Sequence, residues 1–429
     1  MFTVTFASKR SENLPQFVDF ILKMPISGEN RAILQGTLPF QNFARLKKNR
    51  VFNRGMSLRI LIVPDKFKGT LTAQAAVDAI AAGWASRRPK DKLDLLPMSD
   101  GGDGFGEVMG ALLGASCRKI RTMDAAHQAC EAKWWFNRAQ RIAIIESANV
   151  IGLAMLPHGK FHPTDLDTFG LGRVLLAAHK QGSRKCFIGI GGSATNDGGF
   201  GMARALGFRF LDKSQSELFS WTQLGELHHI EFPDLKHLDS MEIIVAMDVA
   251  NPLLGTKGCS AIYGLQKGLR TNEIAIADQV LKRLARVVAK QQGGKYHLTP
   301  GAGAAGGLGF GLMAFLGAKS ALGFELFARH AKLQKRVKNA HFVITGEGSV
   351  DGSSLMGKGV GETARLARKL KVPVIGLGGR VAGSGELKGY FHRVIGLTQV
   401  TSEKEAKKNP AKWLKRTAAL AADEVRNKE

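Results

Sequence analysis

Several features that mark common protein classes are missing or scarce. Among 429 residues there are four cysteines, Cys117, Cys130, Cys186 and Cys259, widely spaced and with no CxxC pair. That argues against a zinc module or a disulfide-held scaffold and fits a reducing, cytoplasmic setting. No run of roughly 18 residues is both apolar and uncharged. The best candidate, 310–328, is broken by Lys319 and Glu325, so no membrane span is expected. There is no HExxH pair, which leaves no zincin-type metal site, and no GxSxG elbow, which disfavours a serine hydrolase. No repeat with a period of about 20–50 residues is visible, which argues against a solenoid.

Acidic residues are in deficit: 36 Asp and Glu face 61 Lys and Arg, a net charge of +25. A field of that sign favours anionic partners such as nucleotides, phosphates, carboxylates or nucleic acid. The basic run Lys404–Arg416 reads as a solvated helix face, because only Trp413 interleaves an aromatic ring; no nucleic-acid partner is expected. Composition is otherwise globular, with 44% hydrophobic and 23% charged residues, and the length suits two or three domains. Glycine is the excess, at 51 residues, and it is clustered in loops within apolar sequence.

Residues 1–55 stand apart. They are basic, lack a clear period, and do not read as a signal peptide, since no small-residue cleavage site follows Phe20-Ile-Leu. Met56 precedes the strand-like Ser57–Pro64, so an N-terminal extension over 1–55, untranslated or disordered, is expected. From Arg59 onward, short apolar runs alternate with helical stretches. Strands are expected at Arg59–Val63, Leu93–Pro97, Ile142–Glu146, Lys185–Ile190, Met241–Met247, His341–Thr345, Val372–Leu377 and His392–Leu397. Helices are expected over Thr72–Arg87, Gly104–Leu113 and Glu403–Asn427. This order implies an α/β fold with largely parallel sheet, in which ligands sit beyond the carboxyl ends of strands.

The glycine and aspartate clusters fall at such ends. The first, Gly189–Gly199, contains a G-x-G-x-x-A match. One reading is a dinucleotide fingerprint with Asp212 as the ribose acid, which would make the protein an NAD(P)-dependent oxidoreductase using the Gly189–Ala194 loop. Another is an anion site, in which the amides of Gly191 and Gly192 and the hydroxyls of Ser193 and Thr195 hold a phosphate or carboxylate. A plain turn is the third. The second cluster, Gly301–Gly309, permits either close approach of backbone to a ligand or tight helix packing. In the third, Gly352–Lys358 spells GxxxxGK, but Gly359 stands where a P-loop has its Ser or Thr, and no Walker A loop is expected. Four acid-bearing loops, around Asp65, Asp100 and Asp103, Asp197, and Asp248, are singly ordinary turns. Collectively, with Lys68, Lys267 and Lys358, they supply what phosphoryl transfer needs: carboxylates for Mg²⁺, cations for the transferred group and a carboxylate to take a proton.

In combination and in order, Val63-Pro-Asp-Lys-Phe-Lys-Gly69, Pro97-Met-Ser-Asp-Gly-Gly-Asp-Gly104, Ile188–Gly199, Asp248-Val-Ala-Asn-Pro-Leu-Leu-Gly255, Gln266-Lys-Gly268, Gly301–Gly309 and Thr345-Gly-Glu-Gly348 resemble the type I glycerate kinase family. The likeness runs from about Leu58 to the C-terminus. It implies ATP- and Mg²⁺-dependent phosphorylation of D-glycerate, in most members at the 2-hydroxyl to give 2-phosphoglycerate. It further implies a Rossmann- or flavodoxin-like parallel-sheet domain made of both chain ends, 56–115 and 305–429. A second α/β domain, 116–304, would be inserted between them, with the site in the cleft. On that basis Asp197 is the expected base on the glycerate hydroxyl. Lys68 and Lys267 would neutralise phosphate or carboxylate, while Ser193, Thr195 and Asn196, with Gly191, Gly192, Gly301 and Gly303, would hold substrate or phosphate. Asp248 and Asp351 would bind Mg²⁺. A monomer or homodimer is expected. The sequence departs from the family pattern at Lys66, where Ser is common, at Asp103 (Glu) and at Leu265 (Pro). It departs again at Arg173, which replaces an acidic or amide residue, and at Ser349 and Ser353-Ser354. These changes leave a related hydroxy acid open as the substrate.

Overall fold

The computed structural model describes residues 56–234 and 240–426. The expected extension, 1–55, lies outside the described residues. In chain order the strands are β1 (Arg59–Ile62), β2 (Lys92–Leu95), β3 (Ser116–Met123), β4 (Ala129–Asn137), β5 (Ile142–Glu146), β6 (Lys185–Gly189), β7 (Arg209–Leu211), β8 (His229–Glu231), β9 (Glu242–Met247), β10 (Lys319–Leu322), β11 (Phe342–Val350), β12 (Val374–Val381) and β13 (Arg393–Gly396). The helices that position the loops discussed below are α1 (Ala73–Ala85), α2 (Phe105–Leu112), α3 (Phe200–Ala205), α4 (Cys259–Lys267), α5 (Ala304–Leu316) and α6 (Gly323–His330).

Strands from both chain ends form a five-stranded sheet in the order β2-β1-β11-β12-β13, parallel throughout. Counted within the sheet this is 2-1-3-4-5, the flavodoxin-like doubly wound order, with its switch point between β1 and β11. The intervening chain forms a six-stranded sheet, β10-β9-β6-β5-β4-β3. Its first four strands are parallel and its last two antiparallel. The fold is therefore α/β, as the strand–helix alternation predicts. One boundary differs from expectation. Residues 305–322, expected with the five-stranded sheet, belong to the other: β10 pairs with β9, and Leu308, Phe310, Leu312 and Phe315 of α5 pack into the core of the six-stranded sheet.

The period-2 pleat lets the six-stranded sheet serve two cores. Trp134, Phe136, Ala143, Ile145, Cys186, Ile188, Val245 and Met247 face one core. Their neighbours Trp135, Ile144, Phe187 and Ala246 face the other, which they share with Leu61, Val63 and Val343 of the five-stranded sheet and with Phe105 and Met109 of α2. Helix α2 thus follows a strand of the first sheet yet packs on the second. Gly106 and Gly110, one turn apart, leave a groove that the Trp135 ring fills; a Cβ on Gly106 would sit 1.9 Å from Trp135 Cζ3. Each large apolar side chain fully buried here contributes roughly 1.5–3 kcal/mol.

This packing yields a stability prediction. Gly106→Ala overfills the groove and should cost roughly 1–3 kcal/mol in a denaturant titration. Gly225→Ala, where nothing lies within 4 Å of the new Cβ, should stay within about 0.5 kcal/mol of the parent.

Candidate active site

Ladder hydrogen bonds carry β1 past its last residue. Val63 N donates to Ile344 O at 2.8 Å and Asp65 N to Gly346 O at 2.8 Å, so Asp65 is held beside β11 at the switch point. Met98 N donates to Pro64 O at 3.0 Å, which brings in the loop after β2. That loop, Ser99–Gly104, then crosses to the carboxyl ends of the second sheet. Gly191 N donates to Gly101 O at 3.3 Å. A Cβ on Gly191 would lie 2.7 Å from Gly102 Cα, and one on Gly323 would lie 1.5 Å from Asp100 O. Such contacts exist only where backbones meet without side chains between them. The crossing is fastened by Glu146 at the end of β5, whose Oε1 accepts from Gly104 N and Oε2 from Gly106 N, both at 2.9 Å.

The crossing crowds acids from both sheets together. Asp65, 9% exposed, is pushed up to about 7, chiefly by burial and then by the charges of Asp100 and Glu347, against the Lys66 amide and ammonium. Burial, Asp351 and Asp100 raise Glu347, although Ser354 donates to it and Lys358 stands 3.7 Å away. Asp248, after β9, opens to solvent on one side, yet the atoms behind it and then the Asp100 charge raise its carboxyl. Lys66 reaches across, 3.5 Å from Asp103 Oδ2 and donating to Asp103 O at 3.2 Å. Asp100 is thus the charge common to Asp65, Glu347 and Asp248. Among the described residues, no three His, Cys, Asp or Glu side chains lie close enough to hold a metal unaided. One or two carboxylates completed by phosphate oxygens is the ordinary arrangement for Mg²⁺, and Asp248 with Asp100 fits it.

The predicted anion-binding residues form a second group. Lys267, at the last turn of α4 and 7% exposed, donates to Ser193 Oγ at 3.1 Å and Thr195 O at 2.6 Å. Burial lowers its ammonium to about 8. Asn196 Nδ2 donates to Ser260 Oγ at 2.9 Å, while Asn196 Oδ1 and Thr195 Oγ1 are buried with no partner in the protein. The group therefore offers a cation, an unused hydroxyl and an unused carbonyl oxygen, the complement of a carboxylate with a neighbouring hydroxyl. Gly191 and Gly192 are spent on close approach to Gly102 and Asp103.

The remaining predicted residues have other surroundings. Asp197 is fully buried and closed off: Oδ2 accepts from Thr168 N, Thr168 Oγ1 and Gly201 N at 2.7–2.9 Å, and Oδ1 from Gly199 N at 3.2 Å. Burial and Asp167 push it up to about 6; its oxygens hold the glycine loop at the start of α3, and its charge acts on Lys267. Asp351 caps its own turn, accepting from Ser353 N, Ser353 Oγ and Ser349 Oγ. These donors lower its carboxyl, and its charge acts on Glu347. Gly301 and Gly303 are buried against Met247 and the Pro252 carbonyl, and Gly198 N donates to Gly306 O at 3.0 Å, so the second glycine cluster packs on the first. Lys68 is exposed in the loop after β1, beside Gly348. The dinucleotide reading fails on geometry: after β6 no helix starts until Phe200, and Asp212 Oδ1 closes a turn onto Ser214 N and Ser216 N. Asp65 and Asp100 were visible in the sequence only as loop acids.

Comparisons with known proteins identify the family. The profile of the Glycerate kinase family matches residues 60–426. A glycerate kinase of Halalkalibacterium halodurans is 38% identical over 337 residues, covering 78% of this chain and 88% of its own. The glycerate 2-kinase of Escherichia coli K12 is 37% identical over 324 residues, 75% of this chain and 85% of its own. A solved structure from Salmonella typhimurium LT2, assigned as glycerate kinase 2, superposes with a TM-score of 0.75 at 32% identity, over 87% of this chain and 99% of its own. The chain belongs to the glycerate kinase family and is a phosphotransferase that acts on an alcohol group.

Proposed function

We propose that this enzyme phosphorylates D-glycerate with MgATP, most directly at the 2-hydroxyl, in the cytoplasm and as a monomer or homodimer. One observation carries the reading: loops from the carboxyl ends of both sheets bring the Asp65, Asp100, Asp248 and Glu347 acids into one charge cluster, next to Lys66. In-line transfer needs this combination, since catalysis of phosphoryl transfer is chiefly positioning and charge compensation. The relative named for the 2-position, from E. coli, supports the choice of hydroxyl.

In this reading Lys267 holds the glycerate carboxylate. The Thr195 hydroxyl donates to it and Asn196 Oδ1 accepts from a substrate hydroxyl, which leaves the reacting hydroxyl directed at the acids. Asp65, with its carboxyl near neutrality, takes the hydroxyl proton, because a base works best when its pKa lies near the operating pH. Asp248 and Asp100 hold Mg²⁺, which when bound neutralises charge on the transferred group. Lys68 and Lys66 meet the phosphates. Asp197 keeps the Gly198–Gly199 turn in shape. The alternative substrate is another small hydroxy acid, since the Lys267 group recognises only a carboxylate and its neighbouring hydroxyl.

Two outcomes test this. A coupled assay with ATP, Mg²⁺ and D-glycerate, with the product resolved by NMR, should give 2-phosphoglycerate. A 3-phosphoglycerate product would reverse the regiochemistry, and turnover only with another hydroxy acid would change the substrate. Asp65→Asn should lower turnover by roughly 10²–10⁴ in a protein that stays folded and melts no lower than the parent at pH 8. Asp197→Ala should instead melt several degrees lower, because the freed donors cost roughly 1–3 kcal/mol each when buried unpaired. The sign of the Asp65 effect also fixes a pH dependence. Its folded pKa of about 7 lies above the ordinary 3.8, so its share of stability is complete at low pH and is lost as pH rises through about 7. Asp65→Asn should remove that part of the slope of melting temperature against pH between about 4 and 7.

A further inference from the structure

A cavity of about 420 Å³ opens between the first turns of α1 and α2, beyond the carboxyl ends of β1 and β2. Leu71, Pro97, Met98 and Val108 give it an apolar lining, while Lys66, Lys68 and Thr70 supply polar groups. None of the groups that hold glycerate in the reading above lines it. Its volume is that of a small-molecule site, and apolar walls with a few convergent polar groups are what such sites have.

We infer that this cavity is the nucleoside pocket of the enzyme, taking the base and ribose of the nucleoside triphosphate that donates the phosphoryl group. The inference rests on the kinase reading and adds where the donor sits. A flat aromatic base suits the Leu71, Met98 and Val108 surface. Lys68 is exposed, with no ion-pair partner among the described residues, and its ammonium meets the phosphates as they leave the cavity. Lys66 continues the path, because it both lines the cavity and acts on Asp65 and Asp248. Phosphates passing the two lysines therefore arrive at the acid cluster. Two carboxylates, Asp103 and Glu107, also line the cavity. They repel a phosphate and accept hydrogen bonds from ribose hydroxyls, which orients the nucleoside inward and the phosphates outward.

The test uses ADP and inorganic tripolyphosphate as probes in isothermal titration calorimetry on the full chain. Ala111 lines the cavity from the exposed side of α2 and Gln74 from the first turn of α1. Ala111→Trp fills the space without touching the lysines, and Gln74→Trp does so from the facing helix should the first variant fold poorly. The expected result is an ADP affinity at least about tenfold weaker, equivalent to roughly 1.4 kcal/mol, with tripolyphosphate affinity within about twofold of the parent. Unchanged ADP affinity in both folded variants overturns the cavity assignment and leaves the kinase reading standing. No ADP binding by the parent chain overturns both.

Discussion

The structure depends on one carboxylate and two amides. Glu146, at the carboxyl end of a central strand of the six-stranded sheet, accepts from Gly104 N and Gly106 N, at the start of a helix whose chain has just left the five-stranded sheet. Its burial raises the carboxyl while the two amides lower it, so the charge is tolerated because these donors meet it. The same contact places a negative group at the first turn of a helix, where the macrodipole favours it. Around it the backbones of Gly101, Gly191 and Gly323 approach with no side chain between them. The glycine excess has its physical reason here: two strand-end surfaces can share one loop only if that loop and its neighbours are nearly bare backbone.

From this fastening follows the chemistry. Asp100 lies on the fastened loop, and its position makes it the common neighbour of Asp65 and Glu347 from one sheet and Asp248 from the other. Like charges gathered under partial burial raise one another, and that cost is offset only when cations enter. Lys66 is the resident cation, bridging to Asp103. The remaining deficit fits a divalent ion and a polyphosphate. Substrate recognition is separate, in the buried Lys267 group, where the orphaned Thr195 hydroxyl and Asn196 carbonyl mark where partners are missing.

Much of the fold was legible in the sequence, for a definite reason. Strands of a parallel sheet covered on both faces are short unbroken apolar runs, and Ile142–Glu146 is found with the predicted ends. Strand β3, Ser116–Met123, was missed because it is an edge strand with mostly exposed residues, among them Arg118, Lys119 and Arg121, so no apolar run marks it. Strand β10 was missed for the same reason, and with it the return boundary between the sheets. In the site, Lys267, Ser193 and Thr195 were named from separate motifs and do meet. Asp197 was named as the base because a sequence shows an acid in a glycine loop but not the four donors that the fold brings to it. Asp65 and Asp100 were given no role of their own because their distinction is proximity, which arises only when distant loops are brought together, 282 residues apart for Asp65 and Glu347 and 148 for Asp100 and Asp248; the nearest hint was the repetition of loop acids at strand ends.

The fastening of the Ser99–Gly104 loop by Glu146 assembles the site. The direct measurement is the turnover of Glu146→Ala with ATP, Mg²⁺ and D-glycerate, made alongside its circular dichroism. If this fastening sets the geometry, secondary structure is retained while turnover falls by roughly 10²-fold or more, since misplacing reacting groups by about 1 Å costs that much. A folded variant that turns over at the parent rate would contradict it.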